Sequence, residues 1–224
     1  MDLQNRINQV KERMNAACIR SGRKMDDVQL IAVTKYVGVE ETRAVMDHGL
    51  LHIGENRWQN AKEKWEQLHN RGTWHFIGHL QTNKVKDVIG KFTYIHSLDR
   101  VALADEIEKK AAALDITQQC FIQLNVAGEE SKYGLDPEQL FELARHVSQL
   151  PHLQIVGLMT MAPLETDAEA TRPVFRELRR LRDELNDSGI LNYEVLHLSM
   201  GMSGDYEVAI EEGATWIRVG SAIL

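Results

Sequence analysis

The chain has little cysteine, little proline and no long apolar run: two cysteines and four prolines occur among 224 residues. Two thiols cannot build a disulfide framework, and Cys18 and Cys120 lack metal-ligand spacing, so both are expected to be buried thiols in a reducing compartment. No apolar stretch approaches the length of a membrane-spanning helix, and the first residues do not resemble a signal peptide. We therefore expect a cytoplasmic protein without a membrane partner.

Clustered positive charge is also missing. The chain has 26 Lys and Arg against 33 Asp and Glu, a net charge of −7. Neutralising phosphates requires clustered Lys and Arg, so a nucleic-acid partner is not expected. The nine histidines form no cluster with cysteine, and we predict no metal site. His75 and His197 fall within predicted strands and are interpreted as core histidines with satisfied hydrogen bonds.

The amino-terminal segment predicts an amphipathic helix over residues 3–20, in a leading segment of residues 1–22. Its apolar residues are spaced alternately by four and three, which places them on one face of a helix: Leu3, Ile7, Val10, Met14 and Ala17.

From residue 29 onward, short apolar runs alternate with helical patterns. Strands are predicted near Ile31, His52, Phe76, Tyr94, Ile122, Val156, Leu196 and Ile217. Helices are predicted over 39–48, 56–69, 81–90, 99–114, 136–149, 168–187 and 203–212. Eight strands and seven intervening helices favour a single α/β domain over residues 1–224, a (β/α)8 TIM barrel with an extra N-terminal helix. A doubly wound sheet is less consistent, because no G-x-G-x-x-G turn follows the first strand.

The first predicted strand ends in a lysine. Leu30 to Val33 form a continuous apolar run, typical of a strand buried on both faces, and Thr34 and Lys35 follow it. A lysine at the rim of a core is partly removed from water, which favours the neutral amine that attacks aldehydes. Taken alone, the stretch is better explained by a lysine that ends the strand with its charge in solvent.

Two segments after the last strands predict a phosphate site. Residues 199–205 and 218–221 contain serines and glycines in the loops where barrels often bind phosphate. A phosphate site across the barrel mouth from Lys35 indicates a ligand with both a phosphate and an aldehyde. Pyridoxal 5′-phosphate fits, and so does a sugar phosphate in a Schiff-base aldolase that uses no cofactor.

Several motifs in order resemble those of the pyridoxal phosphate homeostasis proteins, which look like the barrel half of the fold type III enzymes of the alanine racemase group. The resemblance spans the whole chain. The motifs are Ala32-Val-Thr-Lys35, Gly54-Glu-Asn56, Trp74-His-Phe-Ile-Gly-His-Leu-Gln-Thr-Asn-Lys84, Gly128-Glu-Glu-Ser-Lys132, Gly157-Leu-Met159, Leu198-Ser-Met-Gly-Met-Ser203 and Arg218-Val-Gly220.

The resemblance implies a cofactor and the residues that bind it. Lys35 matches the lysine that forms a Schiff base with pyridoxal 5′-phosphate, Arg218 matches the arginine facing its pyridine nitrogen, and Asn56 matches a polar group near its ring. His79, Met159 and the 128–134 loop are placed nearer the rim, without an assigned role. The phosphate region is matched by Ser199, Met202, Ser203, Gly220 and Ser221.

The function implied is intracellular pyridoxal phosphate homeostasis: the protein binds the cofactor reversibly, without strong catalytic activity, and stores, delivers or buffers it, with apoenzymes as candidate recipients. We expect a monomer, which a barrel with a leading amphipathic helix can form. A charged guanidinium beside the ring nitrogen disfavours its protonation and weakens carbanion chemistry. The alternative for Arg218 is a barrel-interior residue paired with a carboxylate. The alternative function is a fold type III amino-acid racemase, which needs a second base. Tyr36, Tyr133 and Tyr206 are candidates for that base.

Overall fold

Eight parallel strands form a closed barrel in the computed structural model, which describes residues 1–130, 132–164 and 167–224. Each strand pairs with its neighbours in sequence, and the last pairs with the first to close the barrel. The strands are β1 (Gln29–Val33), β2 (His52–Glu55), β3 (Thr73–Phe76), β4 (Tyr94–Leu98), β5 (Gln118–Gln123), β6 (Leu153–Met159), β7 (His197–Ser199) and β8 (Trp216–Val219).

Helices surround the barrel and precede it. They are α1 (Leu3–Arg20), α2 (Val39–Asp47), α3 (Trp58–Leu68), α4 (Val85–Val88), α5 (Val101–Ala113), α6 (Leu140–Val147), α7 (Arg172–Ser188) and α8 (Tyr206–Glu211). The longest barrel helix, α7, has a proline in its first turn and ends at Gly189 with φ of 66°, as local sequence preferences favour. The predicted (β/α)8 barrel with an extra N-terminal helix is confirmed.

Two predicted elements differ from the observed ones. The seventh strand was expected near Leu196, but β7 contains only residues 197–199, and the Leu196 side chain lies outside it, 54% exposed. The helix expected over 81–90 is a single α-helical turn, because residues 82–84 form a 3-10 turn and Gly90 adopts φ of 77°. Both elements are too short for periodicity to locate their centres.

The barrel has two buried layers. A large apolar layer lies between the helices and the outer face of the strands, and a small one lies inside the barrel. The inner layer is shared with polar side chains that are almost fully removed from water, which requires hydrogen-bond partners for each. The inner apolar residues are Ile31, Phe121, Met159 and Trp216, and the polar ones include His75, His96, Ser199 and Arg218.

The helix α1 packs its apolar face against α8. Arg20 of α1 forms ion pairs with Glu207 and Glu211 of α8. Arg6 donates from Nε to the carbonyl of Ile223 at 2.6 Å, so the first helix also contacts the last turn of the chain.

In the parts of the chain that are described, no helix is long and apolar enough to cross a membrane. Within the same residues, no three His, Cys, Asp or Glu side chains are grouped as a metal site would require. Cys18 and Cys120 are buried, unpaired thiols, as predicted.

Candidate functional site

A cavity of about 600 Å³ opens at the carboxyl ends of the strands. Loops after β1, β2, β3, β5, β6, β7 and β8 form its wall, as expected for the functional face of a (β/α)8 barrel. Seven of the eight residues predicted for the site line it: Lys35, Asn56, Met202, Ser203, Arg218, Gly220 and Ser221. The structure therefore brings the lysine, the arginine and the serine–glycine loops to one place.

Lys35 lies in the turn that follows β1, half-buried at the cavity wall. Its Nζ is 4.9 Å from the centre of the Tyr36 ring, and the tyrosine itself is 88% exposed. Within the described residues, Lys35 forms no ion pair. Its amine therefore faces a space bounded by an aromatic ring rather than by a carboxylate.

A buried ion pair supports the turn that carries Lys35. The ammonium of Lys64 on α3 donates to the carbonyls of Thr34 (2.8 Å) and Val37 (3.0 Å), which flank Lys35. Lys64 pairs with Glu55 at the end of β2, and that carboxylate also accepts from the Thr34 hydroxyl at 2.7 Å. Burial raises the pKa of Glu55, and Lys64 opposes that shift. Sequence reasoning missed this pair, although Glu55 is the central residue of the Gly54-Glu-Asn56 motif.

Arg218, on β8, is 4% exposed and forms the inner end of the cavity. Its Nη1 donates to Ser199 Oγ at 2.6 Å, and its Nη2 donates to the Thr160 carbonyl at 3.0 Å. No carboxylate of the described residues lies within ion-pair distance, so the alternative of a carboxylate-paired arginine is not what the structure shows. Burial lowers the pKa of Arg218 to about 10, and Asp205 opposes this shift from a distance.

The loops after β7 and β8 form a small cradle of donors. Ser203 Oγ accepts from the backbone N–H groups of Gly220 and Ala222, both at 3.3 Å, while Ser221 is exposed at the cavity edge. Two backbone amides thus converge on the Ser203 oxygen, and the hydroxyl proton of Ser203 is left to donate to a further acceptor. Gly201 has φ of 98°, and a Cβ there would lie 2.6 Å from Ala209, so this position requires glycine.

Two residues predicted for the phosphate region lie differently from the rest. Ser199 is fully buried beneath Arg218 and does not line the cavity, because its Oγ accepts from Arg218 and contacts His96 at 2.8 Å. The Met202 amide is already occupied, since it donates to Asp205 Oδ1 at 2.6 Å. Its side chain lines the cavity, but its N–H is not free for a ligand.

Asn56 lines the cavity between the loops after β2 and β3. Its Oδ1 is buried, and no partner for it exists among the described residues. The backbone of Gly78 packs directly on it, since a Cβ at that position would be 2.4 Å from the Asn56 carbonyl. An acceptor that the protein does not satisfy is available at this wall.

The rim residues without an assigned role separate into two groups. His79 stacks on Tyr133 with ring centres 3.8 Å apart, and the pair stands between the ligand cavity and a second cavity of about 590 Å³, because both residues line both cavities. Met159 is fully buried inside the barrel, not at the rim. In the 128–134 loop, Lys132 pairs with Glu129, and Ser131 lies outside the described residues.

The sequence matches a known family over almost its whole length. The profile described as "Alanine racemase, N-terminal domain" matches residues 7–224. A pyridoxal phosphate homeostasis protein of Aquifex aeolicus is 47% identical over 224 residues, covering 100% of this chain and 97% of the relative.

Two solved structures place the fold. PipY of Synechococcus elongatus, in a structure titled as having pyridoxal phosphate (PLP) bound, superposes with a TM-score of 0.83 at 37% identity, covering 96% of this chain and 99% of PipY. An alanine racemase of Clostridium difficile superposes with a TM-score of 0.79 at 14% identity, covering 99% of this chain and 56% of the racemase, which shows a shared fold alone. The chain therefore belongs to the pyridoxal phosphate homeostasis proteins and carries the alanine racemase N-terminal domain, as the sequence motifs predicted.

Proposed function

We propose that this protein binds pyridoxal 5′-phosphate reversibly through a Schiff base on Lys35 and serves intracellular homeostasis of that cofactor, without strong catalytic activity. One observation carries the proposal: a single cavity is bounded by an amine, by a buried guanidinium that no carboxylate of the described residues pairs with, and by the serine hydroxyl on which two backbone amides converge. The family's name and the PLP-bound PipY structure support the same cofactor.

The residues present fit the chemical groups of the cofactor. The Ser203 hydroxyl, whose oxygen accepts from the amides of Gly220 and Ala222, can donate its own proton to a phosphate, and these two amides can donate to the phosphate in place of the Ser203 oxygen. The unsatisfied Asn56 oxygen can accept a hydrogen bond near the ring. The buried charge of Arg218 favours a ligand that is an anion and that offers it an acceptor. Lys35 supplies the amine that an aldehyde requires.

The surroundings of Arg218 favour binding over catalysis. When bound, pyridoxal phosphate supplies a reactive aldehyde and an electron-withdrawing ring, which acts most strongly with its nitrogen protonated. Arg218 remains a cation at pH 7 and donates hydrogen bonds, so a nitrogen facing it accepts a bond and is disfavoured from gaining a proton. No acidic side chain of the described residues neutralises that charge within ion-pair distance.

The proposed partners are pyridoxal phosphate itself and, as recipients, apoenzymes that use it. We propose a monomer acting in the cytoplasm, in keeping with its two buried, unpaired thiols. The net charge of −7 gives no reason to add a nucleic-acid partner.

The alternative of an amino-acid racemase depends on a second base, and one observation favours keeping it. Tyr36 lies beside the Lys35 amine. Tyr133 also lines the cavity, stacked on His79, whereas Tyr206 is buried against α1 with the Arg13 guanidinium 5.3 Å from its ring. Tyr36 and Tyr133 are therefore the tyrosines to test, and Tyr206 does not line the cavity.

Covalent trapping tests the role of Lys35. Purified protein incubated with pyridoxal phosphate is expected to absorb in the visible range, and borohydride is expected to fix one label, located on Lys35 by peptide mass spectrometry. Lys35→Ala should lose the label, whereas Lys62→Ala, which changes an exposed lysine on α3, should keep it. A wild-type protein that stays colourless and unlabelled would refute the proposal.

Exchange of the α-proton distinguishes a binder from a racemase. The PLP-loaded protein is incubated in deuterated water with a panel of amino acids, and incorporation of deuterium is followed by NMR. We expect no exchange above that of free pyridoxal phosphate. Fast exchange that Tyr36→Phe or Tyr133→Phe abolishes would establish the racemase instead.

A further inference from the structure

Three histidines inside the barrel form one hydrogen-bonded chain that ends at Arg218. His52 Nδ1 lies 3.1 Å from His75 Nε2, His75 Nδ1 lies 2.9 Å from His96 Nε2, and His96 Nδ1 lies 2.8 Å from Ser199 Oγ. Arg218 Nη1 then donates to Ser199 Oγ at 2.6 Å. This hydrogen-bonded chain thus crosses β2, β3, β4, β7 and β8. The function proposed above uses only Arg218, the last residue in it.

The proton of Ser199 has a determined direction. A guanidinium has no acceptor, so Ser199 must accept from Arg218, and its single hydroxyl proton needs another partner. Among the residues that the structure describes, His96 Nδ1 is the other group in hydrogen-bond contact with that oxygen. A buried hydroxyl without an acceptor is costly, so Ser199 donates to His96 Nδ1.

This direction fixes the tautomer of every histidine in the chain. If His96 accepts at Nδ1 and is neutral, its one proton is on Nε2 and is donated to His75 Nδ1. The same reasoning places the His75 proton on Nε2, donated to His52 Nδ1. The opposite arrangement, with all protons pointing toward Arg218, leaves the serine proton without an acceptor and directs three N–H dipoles at a cation.

The environment keeps these rings neutral. His75 and His96 are fully buried, and their pKa values are lowered well below 6.5, first by burial and then by neighbouring histidines and, for His96, by Arg218. The rings packed around them are mostly uncharged: Phe121 stacks on His96 at 4.1 Å, and Tyr94 stacks on His75 at 4.9 Å. Trp216 also packs on His75, at 4.9 Å, and His197 packs on Trp216 and Phe121.

The far end of the chain reaches the opposite face of the barrel. His52 begins β2, is half-buried, and lines a cavity of about 210 Å³ together with Gln29, the first residue of β1. The Nε2 proton of His52 is the last proton in the hydrogen-bonded chain of histidines. The chain therefore connects the amino-terminal end of the barrel to the inner end of the ligand cavity through neutral groups alone.

We propose that His96, His75 and His52 are positioning residues for Arg218: through Ser199 they form one chain of Nε2-protonated neutral rings that holds the guanidinium in place without neutralising its charge. A carboxylate at the same position would hold the arginine as firmly but would offset its charge. With neutral support, Arg218 keeps its full charge toward the ligand cavity. This consequence for the ligand depends on the proposed pyridoxal phosphate function, but the arrangement of protons does not.

Nitrogen-15 NMR of histidine-labelled protein tests the chain without any ligand. His52, His75 and His96 are each expected to show the neutral Nε2–H tautomer at pH 7.5. His48 is an internal standard for the opposite tautomer, because its Nδ1 lies 2.7 Å from the Ala44 carbonyl, which can only accept. A neutral Nδ1–H or a charged ring at His75 or His96 would overturn the proposal.

Substitutions in the chain test the consequence for the ligand. Ser199→Ala removes the link to His96, and we expect the affinity for pyridoxal phosphate to fall about tenfold, the effect of one lost charge-assisted hydrogen bond, with a changed absorption spectrum of the bound ligand. Ser199→Thr, which keeps the hydroxyl, should restore both.

Ser97→Ala is the matched control. Ser97 is equally buried on β4, and its Oγ has no partner among the described residues, so its loss should change neither affinity nor spectrum. A Ser199→Ala protein that binds and absorbs like wild type would overturn the positioning role. If wild type itself binds no pyridoxal phosphate, the proposed function fails, while the NMR result still decides whether the chain exists.

Discussion

Two cations are buried at the ligand end of this barrel, and the protein treats them in opposite ways. Lys64, 3% exposed between the barrel and α3, is paired with Glu55 and donates to two carbonyls of the turn that carries Lys35. Arg218, buried to a similar extent inside the barrel, has a serine and a backbone carbonyl as partners.

The difference shows how a fold can use buried charge either for structure or for binding. The charge of Lys64 is balanced by Glu55, so the effect of Lys64 is structural: it fixes the turn that carries Lys35. The charge of Arg218 is held by neutral hydrogen-bond partners, so it can attract a ligand electrostatically. A buried ion is stabilised by an opposite charge nearby, so an arginine without one favours a ligand that supplies it.

The largest effect is expected from breaking the pair at Lys64. Lys64→Met leaves Glu55 as a buried, unpaired carboxylate, and such changes lower the free energy of unfolding by about 3–5 kcal/mol. Chemical denaturation measures this loss. The double variant Lys64→Met/Glu55→Gln should recover most of it, and Lys62→Met, in an exposed pair on the same helix, should cost less than about 0.5 kcal/mol. A loss below about 1 kcal/mol in Lys64→Met would remove the distinction between the two cations.

A smaller effect on stability is expected from acidification. The histidines behind Arg218 lose stability as the pH falls, whereas Glu55, the partner of Lys64, contributes a change of the opposite sign. Because the pKa values of His75 and His96 are lowered in the folded state, the unfolded chain binds more protons than the folded one below pH 6.5. The free energy of unfolding therefore decreases as the pH is lowered. Each histidine contributes about 1.4 kcal/mol per pH unit, or about 2.7 kcal/mol per unit together. Because the pKa of Glu55 is raised in the folded state, the folded protein binds more protons than the unfolded one just above pH 4.5. The contribution of Glu55 therefore increases the free energy of unfolding as the pH falls.

Unfolding free energies measured between pH 7.5 and 5 test the histidine contribution. Substituting the exposed His69 by glutamine should leave the slope unchanged. A stability that does not decline between pH 6.5 and 5.5 would show that His75 and His96 are not kept neutral by the fold.

The smallest effect on stability is expected at Arg218. Arg218→Met removes a buried charge that forms no ion pair with the described residues, and the loss of its hydrogen bonds is offset by relief of that burial. The free energy of unfolding should therefore change by no more than about 1 kcal/mol. The same variant should still take up pyridoxal phosphate through Lys35 but with a changed absorption spectrum. A loss of stability as large as that of Lys64→Met would mean that the protein itself balances the positive charge of Arg218, and that this charge is not left for a ligand.

The fold was predictable because eight apolar strand patterns alternate with helical patterns along the sequence. This alternation can be recognised without knowing which residues are in contact. Most of the candidate site was predictable because carboxyl ends of parallel strands share one rim. Ser199 was placed in the phosphate region, but β7 has three residues, and one position decides whether a side chain points into the barrel or toward a loop. The pair of Glu55 with Lys64 and the histidine chain were not predictable, because both depend on how different elements pack against each other.

The contact between the first helix and the last turn has a consequence for the order of folding. Arg6 and Ile223 are 217 positions apart in sequence, and the turn that Arg6 holds includes the amides of Gly220 and Ala222 in the donor cradle. Contacts this distant in sequence close the longest loops and form slowly. We therefore expect the cradle to be completed last during folding, so that a chain gains affinity for phosphate only after α1 has docked.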